Sequence, residues 1–146
     1  MKSFTHLALG FLVFTSATSI AATMQENALK YVPGGKIIQE KKNEIKVQTP
    51  DGSIVEVEFK RNGNLEEASG DTVEKDIFVP GEGLLSLKDA YAAMTKAGKK
   101  PVGDWSLDES MIKGWHYEFE GVENGKNMDY VVDAKTGKIV DSKVDD

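Results

Sequence analysis

His116, Glu118 and Glu120 occupy alternate positions of one short run, and Asp129 lies beyond an Asn124-Gly125 pair. On a strand, alternate residues share a face about 7 Å apart. A hairpin through Asn124-Gly125 would bring Asp129 across from them. Two carboxylates at that separation suit acid–base work on a glycosidic bond, and one imidazole with two carboxylates would hold zinc weakly. Neither chemistry gathers further support. His116 is the only histidine beyond residue 6, and there is no cysteine. A Gly-x-Ser-x-Gly elbow, a Gly-x-Gly-x-x-Gly turn and a phosphate-binding loop are all missing. Asp133 and Asp141 do not follow calcium-loop spacing. The alternation is what a half-exposed antiparallel strand requires, so the chain reads as a non-enzyme without a cofactor or metal-ligand set.

The elements that position these groups follow from periodicity. Trp115, Tyr117 and Phe119 form the apolar side of the strand that carries His116, and Met128, Tyr130 and Val132 match them on the return. Residues 134–137 turn the chain into Lys138-Ile139-Val140. Upstream, residues 36–40 read as a strand, Ile45 and Val47 as a second, and Val55, Val57 and Phe59 as a third. Pro50-Asp51-Gly52 and Asn62-Gly63 are the turns, the latter leading toward Leu65. Thr23 and Glu26 have capping-box spacing before Ala28, Leu29 and Val32, and 33–35 end that helix. Ser86 and Asp89 open a second helix with Leu87, Ala90, Tyr91 and Met94 on one stripe, closed at Ala97-Gly98. Residues 66–84 change character and read as a connector, counted from 69 in the module boundaries, with 77–79 a short strand or a plug over a sheet edge. The expected fold is α+β: two tandem modules, 22–68 and 85–146, each a helix on a small antiparallel sheet, with the two sheets able to join into one.

Residues 1–21 have the order of a secretory signal: Lys2, an apolar run over 7–14, then small residues up to Ala21. The expectation is export to the periplasm or the medium. No second apolar run approaches the length of a membrane span. The net charge of −6 becomes more negative on loss of Lys2. An acidic surface argues against nucleic acid or anionic membrane as partner, since both need clustered cations.

Beside this reading, Tyr130-Val131-Val132-Asp133-Ala134-Lys135-Thr136-Gly137-Lys138-Ile139-Val140 resembles the closing motif of the PepSY family. Ala28-Leu29, Pro33-Gly34-Gly35-Lys36-Ile37-Ile38 and Val55-Glu56-Val57 resemble its opening and middle. The first half departs at residues 60–65, which lack the family's Asp and Thr, and the second has Pro101-Val102-Gly103 in place of Pro-Gly. The tandem arrangement also resembles the β-lactamase-inhibitor-like fold. The resemblance implies a partner-binding protein without catalytic residues, acting on another envelope or secreted protein such as a peptidase. The alternative is a small-ligand or metal-ion binder.

With both helices on one side, the other side of the sheet would display Glu56, Glu58, His116, Glu118, Glu120 and Asp129. These are the expected partner-binding residues, joined by Trp105, the aromatic least committed to a core, and by the hairpin loop at Asn124-Gly125.

Overall fold

The structure, a computed structural model, describes residues 16–71 and 77–145. The signal expected over 1–21 lies outside the described residues as far as residue 15. Helix α1 spans Ser16–Tyr31, and four strands follow: β1 Lys36–Lys41, β2 Glu44–Gln48, β3 Ile54–Phe59 and β4 Leu65–Gly70. Helix α2, Leu87–Lys96, leads to four more: β5 Pro101–Ser110, β6 Gly114–Glu123, β7 Lys126–Asp133 and β8 Ile139–Val144. All eight form one antiparallel sheet in chain order. The order of one helix and four strands thus occurs twice, and the two sets share a continuous sheet. No described helix is long and apolar enough to cross a membrane.

Local chemistry accounts for the elements. Ser86 caps α2 by accepting the Asp89 N–H at 3.2 Å, and Gly98 follows it at φ +76°. Leu87, Ala90 and Met94 form its buried stripe. Asn124 and Gly125 both take positive φ, 52° and 76°, which is the turn that twisted strands prefer. Residues Ile45, Val47, Val55, Val57, Phe59, Leu107, Tyr117, Phe119 and Val132 are fully buried on the face that both helices cover.

Three expectations need correction. Thr23 lies inside α1 instead of capping it, because no Gly or Pro interrupts the run from Ser16. Residues 66–70 belong to β4, since Leu65 and Ala68 point into the core and the strand pairs with both β3 and β5. Residues 77–79 are no strand. Ile77 and Phe78 are buried in the core, and the Val79 N–H donates to the Tyr31 carbonyl at 2.7 Å.

The β4–β5 seam joins the two sets of strands through only four residue pairs, Glu67↔Asp108 to Gly70↔Trp105. Rings reinforce it. Phe78 lies 6.1 Å from Tyr31 and 5.2 Å from Trp105, and Trp105 lies 6.3 Å from Tyr117. The Trp105 indole rests on Gly70, where an added Cβ would stand 2.6 Å from Nε1. Replacing Gly70→Ala therefore forces the buried ring to move. A loss of about 1–3 kcal/mol is expected from overpacking, read as a lowered urea midpoint with an unchanged m-value.

Candidate functional site

The uncovered sheet face is laid out in cross-strand rows. One row runs Glu44↔Glu58↔Glu67↔Asp108↔His116↔Asp133, from β2 to β7. The next runs Lys46↔Glu56↔Ser69↔Ser106↔Glu118↔Val131↔Asp141. A third joins Glu120↔Asp129↔Lys143. Directly opposed like charges destabilise a sheet, so the first row, with its five carboxylates, stands against its own repulsion.

The carboxyl groups register this. Glu58 is pushed above the usual carboxylate range by desolvation and then by Glu44, Glu56 and Glu66. Glu67 rises through desolvation, then Glu58, Asp108, Glu56 and Glu66. Glu120 rises through desolvation, then Asp104, Asp129 and Asp145, against a hydrogen bond from the Asp104 backbone. Lys46 offsets part of the charge, its Nζ lying 3.5 Å from Glu56 Oε2. At the edge, Asp133 behaves oppositely. Desolvation raises it, but the Lys135 and Thr136 N–H groups at 2.8 and 2.9 Å, the Thr136 hydroxyl and the Lys135 charge together hold it down.

Of the residues expected at this surface, Glu56, Glu58, His116, Glu118, Glu120 and Asp129 do share the uncovered face. His116 is nonetheless only 3% exposed. Its Nδ1 lies 2.9 Å from the Gly114 carbonyl, and its Nε2 lies 3.6 Å from Glu118 Oε1. Trp105 is a correction. It faces the helices, is buried between Phe78 and Tyr117, and its Nε1 has no hydrogen-bond partner among the described residues. The bulge between Pro101 and Trp105, with Gly103 at φ +78°, turns this stretch so that the indole points inward and Asp104 outward. Two shallow grooves of about 330 and 150 Å³ flank Asp104 on the open face.

Among the described residues, Glu44, Glu56 and Glu58 are the acidic groups whose oxygens gather within 4.8 Å of one another. His116, Glu118 and Asp129 form no such set. A separate cleft of about 470 Å³ lies on the helix side, walled by Tyr31, Leu65 and Trp115, with Lys30, Lys60 and Glu82 at its rim. Sequence reasoning missed Glu67, because β4 read as connector, although Leu65 and Ala68 were the signal of a buried side. It also passed over Met111 and Ile112, which are 104% and 96% exposed on the β5–β6 turn.

Raised carboxyl pKa values mean that the folded chain binds these protons more tightly than the unfolded one. Their destabilisation is absent below the unfolded carboxylate value near ~4.3 and complete above the folded values. Stability should therefore rise as pH falls through the folded values of Glu58, Glu67 and Glu120 toward ~4.3, and fall below ~3.9 as Asp133 loses its favourable charge. Replacing Glu67→Gln should raise neutral-pH stability by on the order of 0.5 kcal/mol and flatten that rise, as followed by thermal unfolding across the pH range.

Several solved structures are similar to the chain. A BLIP-like protein from Bacteroides fragilis NCTC 9343 shares 16% identity over 84% of each chain, with a TM-score of 0.41. A DUF2874 family protein from Bacteroides ovatus ATCC 8483 shares 11% identity over 90% of this chain and 89% of its own, with a TM-score of 0.43. No curated protein matches the chain in sequence. Residues 84–143, which carry α2 and β5 to β8, match the family model of the peptidase propeptide and YPEB domain, PepSY.

Proposed function

We propose that the chain is an exported, non-enzymatic protein that binds and restrains another envelope or secreted protein, a peptidase, through its uncovered sheet face. The acidic row from Glu44 to Asp133 carries this reading. A row of opposed carboxylates lowers stability in the isolated chain and gains a purpose only when a basic surface meets it. The PepSY match over 84–143, a family described by peptidase propeptides, favours a peptidase as that partner. The repeated order of a helix and four strands supports two tandem modules, with the last strand of the first carried to Gly70 and the connector beginning after it. Restraint of this kind is steric: the face and its hairpin loops occupy the partner's cleft, and no group of this chain enters the reaction.

A small-ligand binder is the second reading, and it rests on the cleft beside Tyr31 and Trp115. Burial, followed by the nearby Glu82 charge, holds the Tyr31 hydroxyl protonated to higher pH than usual, as suits a hydrogen-bond donor at the wall of a binding site. A metabolite that raises the melting temperature of the wild type and not of Tyr31→Ala would favour it.

The chain, added to its source organism's culture fluid and envelope extract, should slow casein hydrolysis. A Glu56→Lys, Glu118→Lys pair should weaken the effect, and added salt should reduce wild-type inhibition toward the level of that variant. Hydrolysis untouched by the wild type would sink the peptidase reading. Equal inhibition by both proteins would move the contact off this face.

A further inference from the structure

Met111 and Ile112 stand at the outer end of the β5–β6 turn, more exposed than any other large apolar side chain among the described residues. The turn does not need them. Ser110 and Gly114 pair across its base, the Lys113 N–H donates to the Ser110 hydroxyl at 2.9 Å, and Gly114 takes φ +62°. This short-loop geometry with a left-handed glycine asks for nothing apolar at the loop positions. The turns at 42–43, 61–64, 124–125 and 135–137 carry only Lys, Arg, Asn, Thr and Gly. Among the described residues a Met-Ile pair in water is thus singular, and it has no role in the fold.

The tip also adjoins the acidic row. Asp108 and His116 are paired two residues below the Ser110↔Gly114 closing pair, about 7 Å along the strands. The cation of the tip is engaged, with Lys113 Nζ 3.8 Å from Asp141 Oδ2, and Lys60 on the neighbouring turn lies 3.6 Å from Glu109. What the tip shows a partner on the sheet side is therefore apolar surface with the Asp108 and Asp133 carboxylates of the row beneath it, while Arg61, Lys135 and Lys138 stand on the turns to either side.

We propose that Met111 and Ile112 are the anchor of a protein interface and enter an apolar pocket whose rim carries Lys or Arg that meets the acidic row. This rests on the open face being the docking surface and names what the partner must present there. For a peptidase, the pocket is a subsite for large aliphatic side chains. The tight turn holds residues 110–114 out of an extended conformation, so the tip fills that subsite without lying along the cleft as a substrate would. The turn is already ordered, so little entropy is lost on insertion. Buried anchors govern how slowly a complex comes apart, and charges govern how quickly it forms. Bilayer insertion is the competing occupant, since Arg61, Lys135 and Lys138 lie on flanking turns. The carboxylates beside the tip oppose an anionic lipid surface.

The test uses the full chain with a photoreactive benzoylphenylalanine at position 112, or at position 136 as control, in the source organism's envelope extract and culture fluid. The expected adduct, from 112 and not from 136, is to a peptidase, at a segment forming an apolar pocket beside Lys or Arg. With that peptidase as probe, Met111→Ser with Ile112→Ser should speed dissociation about tenfold or more and leave the salt dependence of association unchanged. Glu56→Lys with Glu118→Lys should instead slow association. Both side chains lie outside the core, so the serine variant should keep the wild-type urea midpoint. Unchanged dissociation in the serine variant, with the charge pair still controlling inhibition, would show the tip idle and leave the docking face standing. An adduct to phospholipid would make the bilayer the occupant and overturn the proposal. Absence of both adduct and inhibition would remove the docking face, and the anchor with it.

Discussion

The contacts among Phe59, Tyr31, Phe78, Trp105, Tyr117 and Phe119 hold this molecule in one piece. Each ring lies within 6.4 Å of the next, centroid to centroid. They cross the β4–β5 seam, where backbone pairing alone is only four residues long. Phe78 reaches the core from the segment between the halves, and Tyr31 from the end of α1. A connector residue therefore closes the joint, and the bare backbone of Gly70 lets Trp105 close over it. Without that joint the chain would present two small sheets, each with an unprotected edge.

A continuous sheet covered on one side has a second consequence. Side chains alternate between the faces, so each apolar residue turned toward the helices sends its neighbours into water. Over eight strands in unbroken order, those neighbours line up. Glutamates that are far apart in the chain become cross-strand neighbours, and desolvation with mutual repulsion raises Glu58 and Glu67. Water on the open side screens the repulsion enough for the fold to persist. The same arrangement makes a surface suited to meet positive charge.

How much of this was legible varies from residue to residue. The strand that carries His116, the Asn124-Gly125 hairpin and the α2 cap were all readable, because each depends on residues within a few positions of one another. The six charged or polar residues expected on the open face were placed correctly for the same reason: period two assigns a face once the strand is recognised. β4 was lost because Glu66-Glu67 and the small residues after them mask a buried side made only of Leu65 and Ala68. Trp105 was misjudged because its direction depends on a bulge, and the bulge depends on pairing with β6.

Local sequence determined which segments became helix, strand and turn, and that one face of each strand would be apolar and the other charged. Those properties follow from the side-chain alternation and turn chemistry carried by each short segment. Only the tertiary structure decided that the two sets of strands join edge to edge, that Phe78 and Trp105 seal the joint, and that carboxylates from five separate strands stand in one row with His116. It also decided that Met111 and Ile112 would project into water. Their apolar character predicts burial, and only the position of a tight turn beyond the reach of the core overrides it. Register between strands distant in sequence is set by the packing of the whole covered face, and no local window contains that information.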